Sequence, residues 1–307
     1  MKKFILQLAA FAFGICFSSG ILFAADQPKV VATHSVLAAL AREVMPDADI
    51  HTIAAPGRDI HFYNPTPKDV IKVKKANVFV HGGLDLESWR DPLLEAAANK
   101  KFLGAAGNSI DTSKGVQLLE IPESLSRING DIHMHGNPHF WTDPKNAQTI
   151  VDTIAEGLAA IYPDRAAEFQ SNAQAFRQKL DQKLGEWENR ISRYQGKSIV
   201  TYHKSWPYFA QRFGLRVVAH LEPLPGIPPT GKHLMELTEV MKKENTKIIV
   251  REIFQDEKAC KKIANQVGAQ IAILSQFVGG ADKQKDYLGL MEYNVTMIEE
   301  AFKKAGE

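Results

Sequence analysis

The chain has 307 residues, with 37 lysines and arginines set against 35 aspartates and glutamates, a formal net charge of +2. So even a balance offers no basic field to phosphates and argues against a nucleic-acid partner. Cysteine is equally scarce: Cys16 lies in an N-terminal apolar run and only Cys260 follows it, so a processed chain has neither an internal disulfide nor a cysteine-rich metal cage.

In chain order, Lys2 and Lys3 precede an apolar run over residues 4–23, and Ala24-Ala25 supplies small residues for cleavage. The run nearly reaches bilayer-spanning length. Its basic start, its Ser18-Ser19-Gly20 break and its small-residue end mark residues 1–24 as a cleaved signal peptide. Ile15 is too large a neighbour to make a lipoprotein box of Cys16, so export to a periplasmic space is expected without a lipid anchor. Loss of Lys2 and Lys3 brings the basic count level with the acidic one, and the mature chain is long enough for two lobes with separate cores.

Residues 25–160 read as a first lobe of alternating strands and helices. Residues 29–33 predict a strand, followed by a helix capped by Ser35. Residues 50–54 predict a second strand, leading into a loop that carries His61. Pro67 opens a helix, 77–80 is a third strand, 84–97 reads as a helix and 116–119 as another strand. Beyond it, Asp143 can act as an N-cap with Pro144 at the first helical position, so His139 stands just before a helix. Residues 161–195 form a linking helix, in which Phe169, Ala173, Phe176, Leu180, Leu184, Trp187 and Ile191 recur at helical spacing over a charged opposite face. At about 1.5 Å per residue it spans roughly 45 Å, enough to cross both lobes as a strut.

Residues 196–307 repeat the alternation. Strands are predicted at 198–202, 215–221, 247–251 and 270–274, with helices near 206–213, 232–243, 256–267 and 292–303. The segment 222–230 carries too many prolines to be regular. Alternation of this kind predicts an α/β fold of two lobes, each a mostly parallel sheet flanked by helices, joined by one long linking helix.

Three of the chain's ten histidines share a placement. His61, His139 and His203 all fall in the turns after presumed strands, where parallel sheets gather ligands. Three neutral imidazoles suit a zinc ion and leave a fourth position for water or another side chain. His34, His51, His81, His220 and His233 read as ordinary structural or surface residues. His133 and His135 form a small histidine-bearing loop, read either as plain solvent loop or as a low-affinity collecting site for metal.

The residues around those histidines resemble the zinc- and manganese-specific solute-binding proteins of ABC transporters, over essentially the whole mature length. That family's first ligand motif is matched by Asp59-Ile60-His61-Phe62-Tyr63-Asn64-Pro65-Thr66-Pro67. Its second is matched by Asn137-Pro138-His139-Phe140-Trp141-Thr142-Asp143-Pro144, and its third by His203 followed by Trp206, Tyr208 and Phe209. The resemblance implies two lobes with the metal between them, and delivery to a membrane permease driven by a cytoplasmic ATPase. It implies a binding protein with no catalytic residues, expected to act as a monomer, with the metal as transported ligand.

Three departures stand out. Ile60 replaces the family's proline and Asn137 its aspartate, and its fourth ligand, commonly a carboxylate after the last strand, aligns with Gln276. Glu252 or a water is then expected in the fourth position, with Asp282 more remote. Without carboxylates at 203 and 276, zinc is expected over manganese. An exported metal-buffering or adhesion protein is the alternative, and a zinc hydrolase a weaker one, since no H-E-x-x-H pattern occurs.

Overall fold

The computed structural model describes residues 27–102, 107–122, 133–224, 226–282 and 284–307. The segment read as a signal peptide lies outside the described residues. Among those described, no helix is long and apolar enough to cross a membrane.

The first lobe is built on strands β1 (Lys29–His34), β2 (Asp49–Ala54), β3 (Val78–His81) and β4 (Ser109–Asp111), all parallel, in the order β2-β1-β3-β4. The second lobe uses β5 (Ser198–Thr201), β6 (Arg216–His220), β7 (Ile248–Glu252) and β8 (Gln270–Leu274), again parallel, in the order β6-β5-β7-β8. Each lobe thus repeats one topology, with its first strand inside and its second at the edge. Helices α1 (Ser35–Val44), α2 (Pro67–Lys75) and α3 (Arg90–Ala97) belong to the first sheet, followed by α4 (Pro144–Ile161) and the long α5 (Ala166–Ile191). Helices α6 (Pro207–Arg212), α7 (Gly231–Lys243), α8 (Glu257–Val267) and α9 (Tyr287–Lys304) belong to the second.

Local chemistry places these elements. Asp143 caps α4 by accepting from the Lys145 N–H at 2.8 Å, with Pro144 at the first helical position as predicted. Asp256 caps α8 in the same way, and Gly268 ends it in a left-handed conformation, φ +65°. The linking helix α5 has 26 residues and spans about 39 Å at about 1.5 Å per residue, with a short 3-10 turn at each end. Its predicted apolar stripe from Phe169 to Ile191 is buried throughout. It is more than a free strut: α1, α4 and α9 pack on it, and one continuous core joins Leu37 and Ile154 to Trp187, Ile298 and Phe302.

The structure corrects several expectations. Residues 116–119 form no strand; the fourth strand is the shorter β4, in which Ile110 alone is buried. Leu119 is instead tied to Asn137 by a backbone hydrogen bond of 2.8 Å. The helix expected from 84 begins only at Arg90, because Leu84 and Asp85 adopt left-handed φ of 55° and 60°. His34, with no side-chain cap bond, holds the N-cap of α1, and Ser35 is its first helical residue. Helix α9 starts at Tyr287, earlier than its apolar pattern indicated, because Asp286 accepts from the Gly289 N–H at 2.7 Å.

Candidate metal centre

Every strand of the second sheet carries a polar group to its carboxyl edge. His203 follows β5 by two residues, Glu222 follows β6 by two, Glu252 ends β7, and Gln276 follows β8 by two. From the first lobe, the loop after β2 brings His61, and the turn before α4 brings His139. Parallel strands all point the same way, so groups at equal offsets converge on one edge.

The His61 loop is fastened at several points. Asp59 Oδ1 accepts from the His61 N–H at 2.9 Å, and Trp89 Nε1 donates to the Ile60 carbonyl at 2.8 Å. Tyr63 donates its hydroxyl to Asp69 Oδ2 at 2.9 Å, and that oxygen also accepts from the Thr66 N–H at 2.7 Å. Thr66 in turn receives the Asp69 N–H, a reciprocal cap that starts α2 immediately after the loop.

His139 is buried, and its Nδ1 lies 3.0 Å from Asn137 Oδ1, which also accepts the His139 N–H at 2.9 Å. Asn137 Nδ2 donates to Glu120 Oε2 and to the Lys204 carbonyl, both at 2.8 Å, so its oxygen must face the imidazole. Nδ1 therefore carries the proton and Nε2 is left as a ligand atom. Asn137 thus provides the acceptor that the resembling family draws from an aspartate, without the charge. Trp141, two residues on, donates Nε1 to the Gln276 carbonyl at 2.9 Å and so ties this turn to the second lobe.

His203 is likewise oriented. Its Nδ1 lies 2.6 Å from Glu222 Oε2, while its Nε2 is buried without a hydrogen-bond partner. The ligand atoms of His61, His139 and His203 all lie within 4.8 Å of one another. The Nε2 atoms of His61 and His139 are 3.2 Å apart. Two nitrogens on one tetrahedral zinc, at ~2.05 Å each, would stand about 3.3 Å apart. The His61–His139 pair therefore already stands at the spacing such an ion sets.

Electrostatics favour the same reading. Burial, then the neighbouring imidazoles, hold His61 and His139 well below the ordinary histidine range, so both are neutral at physiological pH. For His203 burial acts downward, but the Glu222 hydrogen bond and charge, with Glu252 and Asp59, outweigh it and leave the value raised. Negative charge therefore faces the third imidazole.

The fourth-position candidates separate. Glu252 is buried; its Oε1 accepts from Trp206 Nε1 at 2.9 Å and from Gln276 Nε2 at 2.7 Å, while Oε2 has no partner. Glu252 is not among the residues lining the cavity, whereas Gln276 is; Gln276 donates its N–H2 to Glu252 and to Ser205 Oγ at 2.8 Å, which leaves the carboxamide oxygen as its candidate ligand atom. Asp282 is exposed and is not among the residues lining the cavity. That cavity, about 220 Å³, is walled by Asp59, His61, His203, Glu222, Gln276 and Phe277 among others.

His133 and His135 part company. The His133 ring is half-buried and lies 4.9 Å from His61 and 6.2 Å from His139. His135 is exposed and turned toward Asp85, Nε2 to Oδ2 3.6 Å. The five histidines read as structural have such roles. His34 is buried against Trp141, ring centroids 4.6 Å apart, and His220 Nδ1 lies 2.8 Å from Thr201 Oγ1. His233 reaches the His220 carbonyl, His81 meets Arg90, and His51 lies 3.6 Å from Asp69. Glu222 was missed in the sequence, where it stood inside a stretch legible only as irregular. The available signal was its offset of two residues past an apolar strand, the same as that of His203.

A family model described as zinc-uptake complex component A, periplasmic, matches residues 30–301. The zinc-binding protein AdcA of Streptococcus pyogenes serotype M3 is 26% identical over 265 residues, covering 82% of this chain and 51% of that protein. The chain thus spans about half the length of that curated relative. The iron-binding protein YfeA of Yersinia pestis is 26% identical over 284 residues, covering 89% of this chain and 86% of that protein. A crystal structure of ZnuA superposes with a TM-score of 0.76 at 23% identity, covering 90% of this chain and 99% of that one.

Proposed function

Because the chain belongs to the family of the zinc-uptake complex component A, we propose that it is a periplasmic solute-binding protein that captures Zn2+ and delivers it to an ABC transporter permease. The cargo is held by Nε2 of His61, His139 and His203. The observation that carries this is the convergence of those donors, with the closest pair 3.2 Å apart, near the spacing a tetrahedral zinc requires.

The relatives' names include both a zinc binder and an iron binder, so the metal is argued from the donors. All three are imidazole nitrogens, and no carboxylate stands at position 203 or 276. Manganese favours oxygen-rich, six-coordinate sites. A water, or Glu252 Oε2, which is buried and has no hydrogen-bond partner, completes the four-coordinate shell. A hydrolase would need a substrate cleft and a positioned base, and no H-E-x-x-H pattern occurs in the sequence.

The test strips the purified protein and reloads it with zinc and manganese in competition, reading bound metal by elemental analysis and affinity by calorimetry. Excess manganese is expected to leave bound zinc in place. Each single change of His61, His139 or His203 to alanine is expected to weaken zinc binding by orders of magnitude with the fold retained. Wild-type affinity in two of the three variants, or tight manganese binding through oxygen ligands, overturns the assignment.

A further inference from the structure

Glu222 holds two groups at once. Its Oε2 lies 2.6 Å from His203 Nδ1, and its Oε1 accepts the Gly226 N–H, also at 2.6 Å. The first contact orients an imidazole at the metal centre. The second pins the proline-rich segment 222–230, which lines the cavity through Gly226 and Pro228. Its backbone is fastened at its start by the Glu222 N–H to the Tyr202 carbonyl, 2.9 Å, and bent back by Ile227 N–H to the Leu224 carbonyl, 2.9 Å.

Gly226 also meets the opposite lobe. It has φ +73°, and a Cβ there would stand 2.8 Å from Cζ of Phe62. Phe62 is the chain neighbour of His61. A line of direct contacts therefore runs from His203 through Glu222 and Gly226 to Phe62, and returns to the centre at His61.

We propose that Glu222 is a positioning residue that couples occupation of the metal centre to the seating of Gly226 and the residues after it, which line the same cavity. The inference rests on the three-histidine centre proposed above. A cation on His203 Nε2 withdraws electron density from the ring and makes Nδ1–H a stronger donor toward Oε2. The carboxylate is then held more firmly, and with it the acceptor for Gly226. Only a carboxylate can serve both contacts. Glutamine offers one acceptor oxygen and one donor nitrogen, so either Nδ1–H or the Gly226 N–H would face an N–H2 group.

The experiment measures amide exchange over residues 222–230 in the full chain, without metal and at saturating zinc, together with zinc affinity against a competing chelator. In the native protein zinc is expected to slow exchange at Gly226 and Ile227 severalfold. E222Q is expected to bind zinc roughly 10–100-fold more weakly, and at saturation to show no slowing in the loop. E222D keeps two acceptors on a shorter stem and should restore part of the slowing. Slowing that is absent in the native protein, or undiminished in E222Q at saturation, overturns the coupling. If E222Q fails to fold, E222D carries the test, with full slowing at unchanged affinity as the overturning result. Failure of the underlying reading shows separately, as native zinc affinity retained by H203A.

Discussion

The Asn137 carboxamide accepts from both the backbone and the ring of His139 while donating to Glu120 and to the Lys204 carbonyl. Removing it would free the imidazole to rotate and expose Nδ1 to the wrong tautomer. N137A is therefore expected to lose about 10–100-fold in zinc affinity, while N137D, which keeps the acceptor for His139 but sets its second oxygen against Glu120 and the Lys204 carbonyl, is expected to lose less than N137A without reaching native affinity; calorimetry on both decides. The same scale separates the loop histidines. Replacing His133 and His135 together by serine should spare the tight site and lower the number of zinc ions bound in excess metal. A large loss of tight affinity would promote His133, the one near His61, to a ligand. Two of the proposed ligands, His61 and His139, stand out in the sequence because turn residues such as Pro65, Pro67, Pro138 and Pro144 frame them and mark them as sitting outside any core run. Glu222 does not. Its bond to His203 spans 19 positions and exists only because β5 and β6 lie side by side, with a register shift after Ile199 that sets Thr201 opposite His220.

Among elements, α5 was the plainest to read, since its stripe of seven buried residues keeps one helical period from Phe169 to Ile191. Strand β4 was illegible for the opposite reason: three residues with one buried apolar side chain leave no pattern. Residues 116–119 misled because Val116, Leu118 and Leu119 are apolar without pairing in the sheet; part of that surface packs on the core beside the His139 turn. Trp187 of α5 is fully buried and donates Nε1 to Glu292 of α9 at 2.9 Å. W187A should cost about 3–5 kcal/mol of stability, measured as a shift in urea midpoint, with zinc affinity little changed because the residue sits on α5 and does not line the cavity. Asp286 is a smaller lever on the same helix. D286A removes the cap at the start of α9 and should cost about 1 kcal/mol.

For the molecule as a whole, acid should act through buried histidines. Burial lowers both His34 and His220 to about 3, from an ordinary 6.5. The unfolded chain takes up their protons first, so the stability they contribute is complete above pH 6.5 and is lost as pH falls toward 3. Each should remove about 2 kcal/mol between pH 7 and pH 5 in the metal-free protein, read from denaturation curves at the two values. His203, whose value is raised, works in the other direction and trims the loss. The core that runs unbroken from α1 through α5 to α9 has a consequence of another kind, in time. Parting the lobes far enough to uncover even about 400 Å² of apolar surface would cost about 10 kcal/mol. Spontaneous gaping is thus a rare event, and an ion held at the proposed centre would leave only when the loops bearing His61 and Glu222 give way. Residence would then be long in free solution and short only where a docking surface pries those loops apart, so that the clock for release belongs to the receiver.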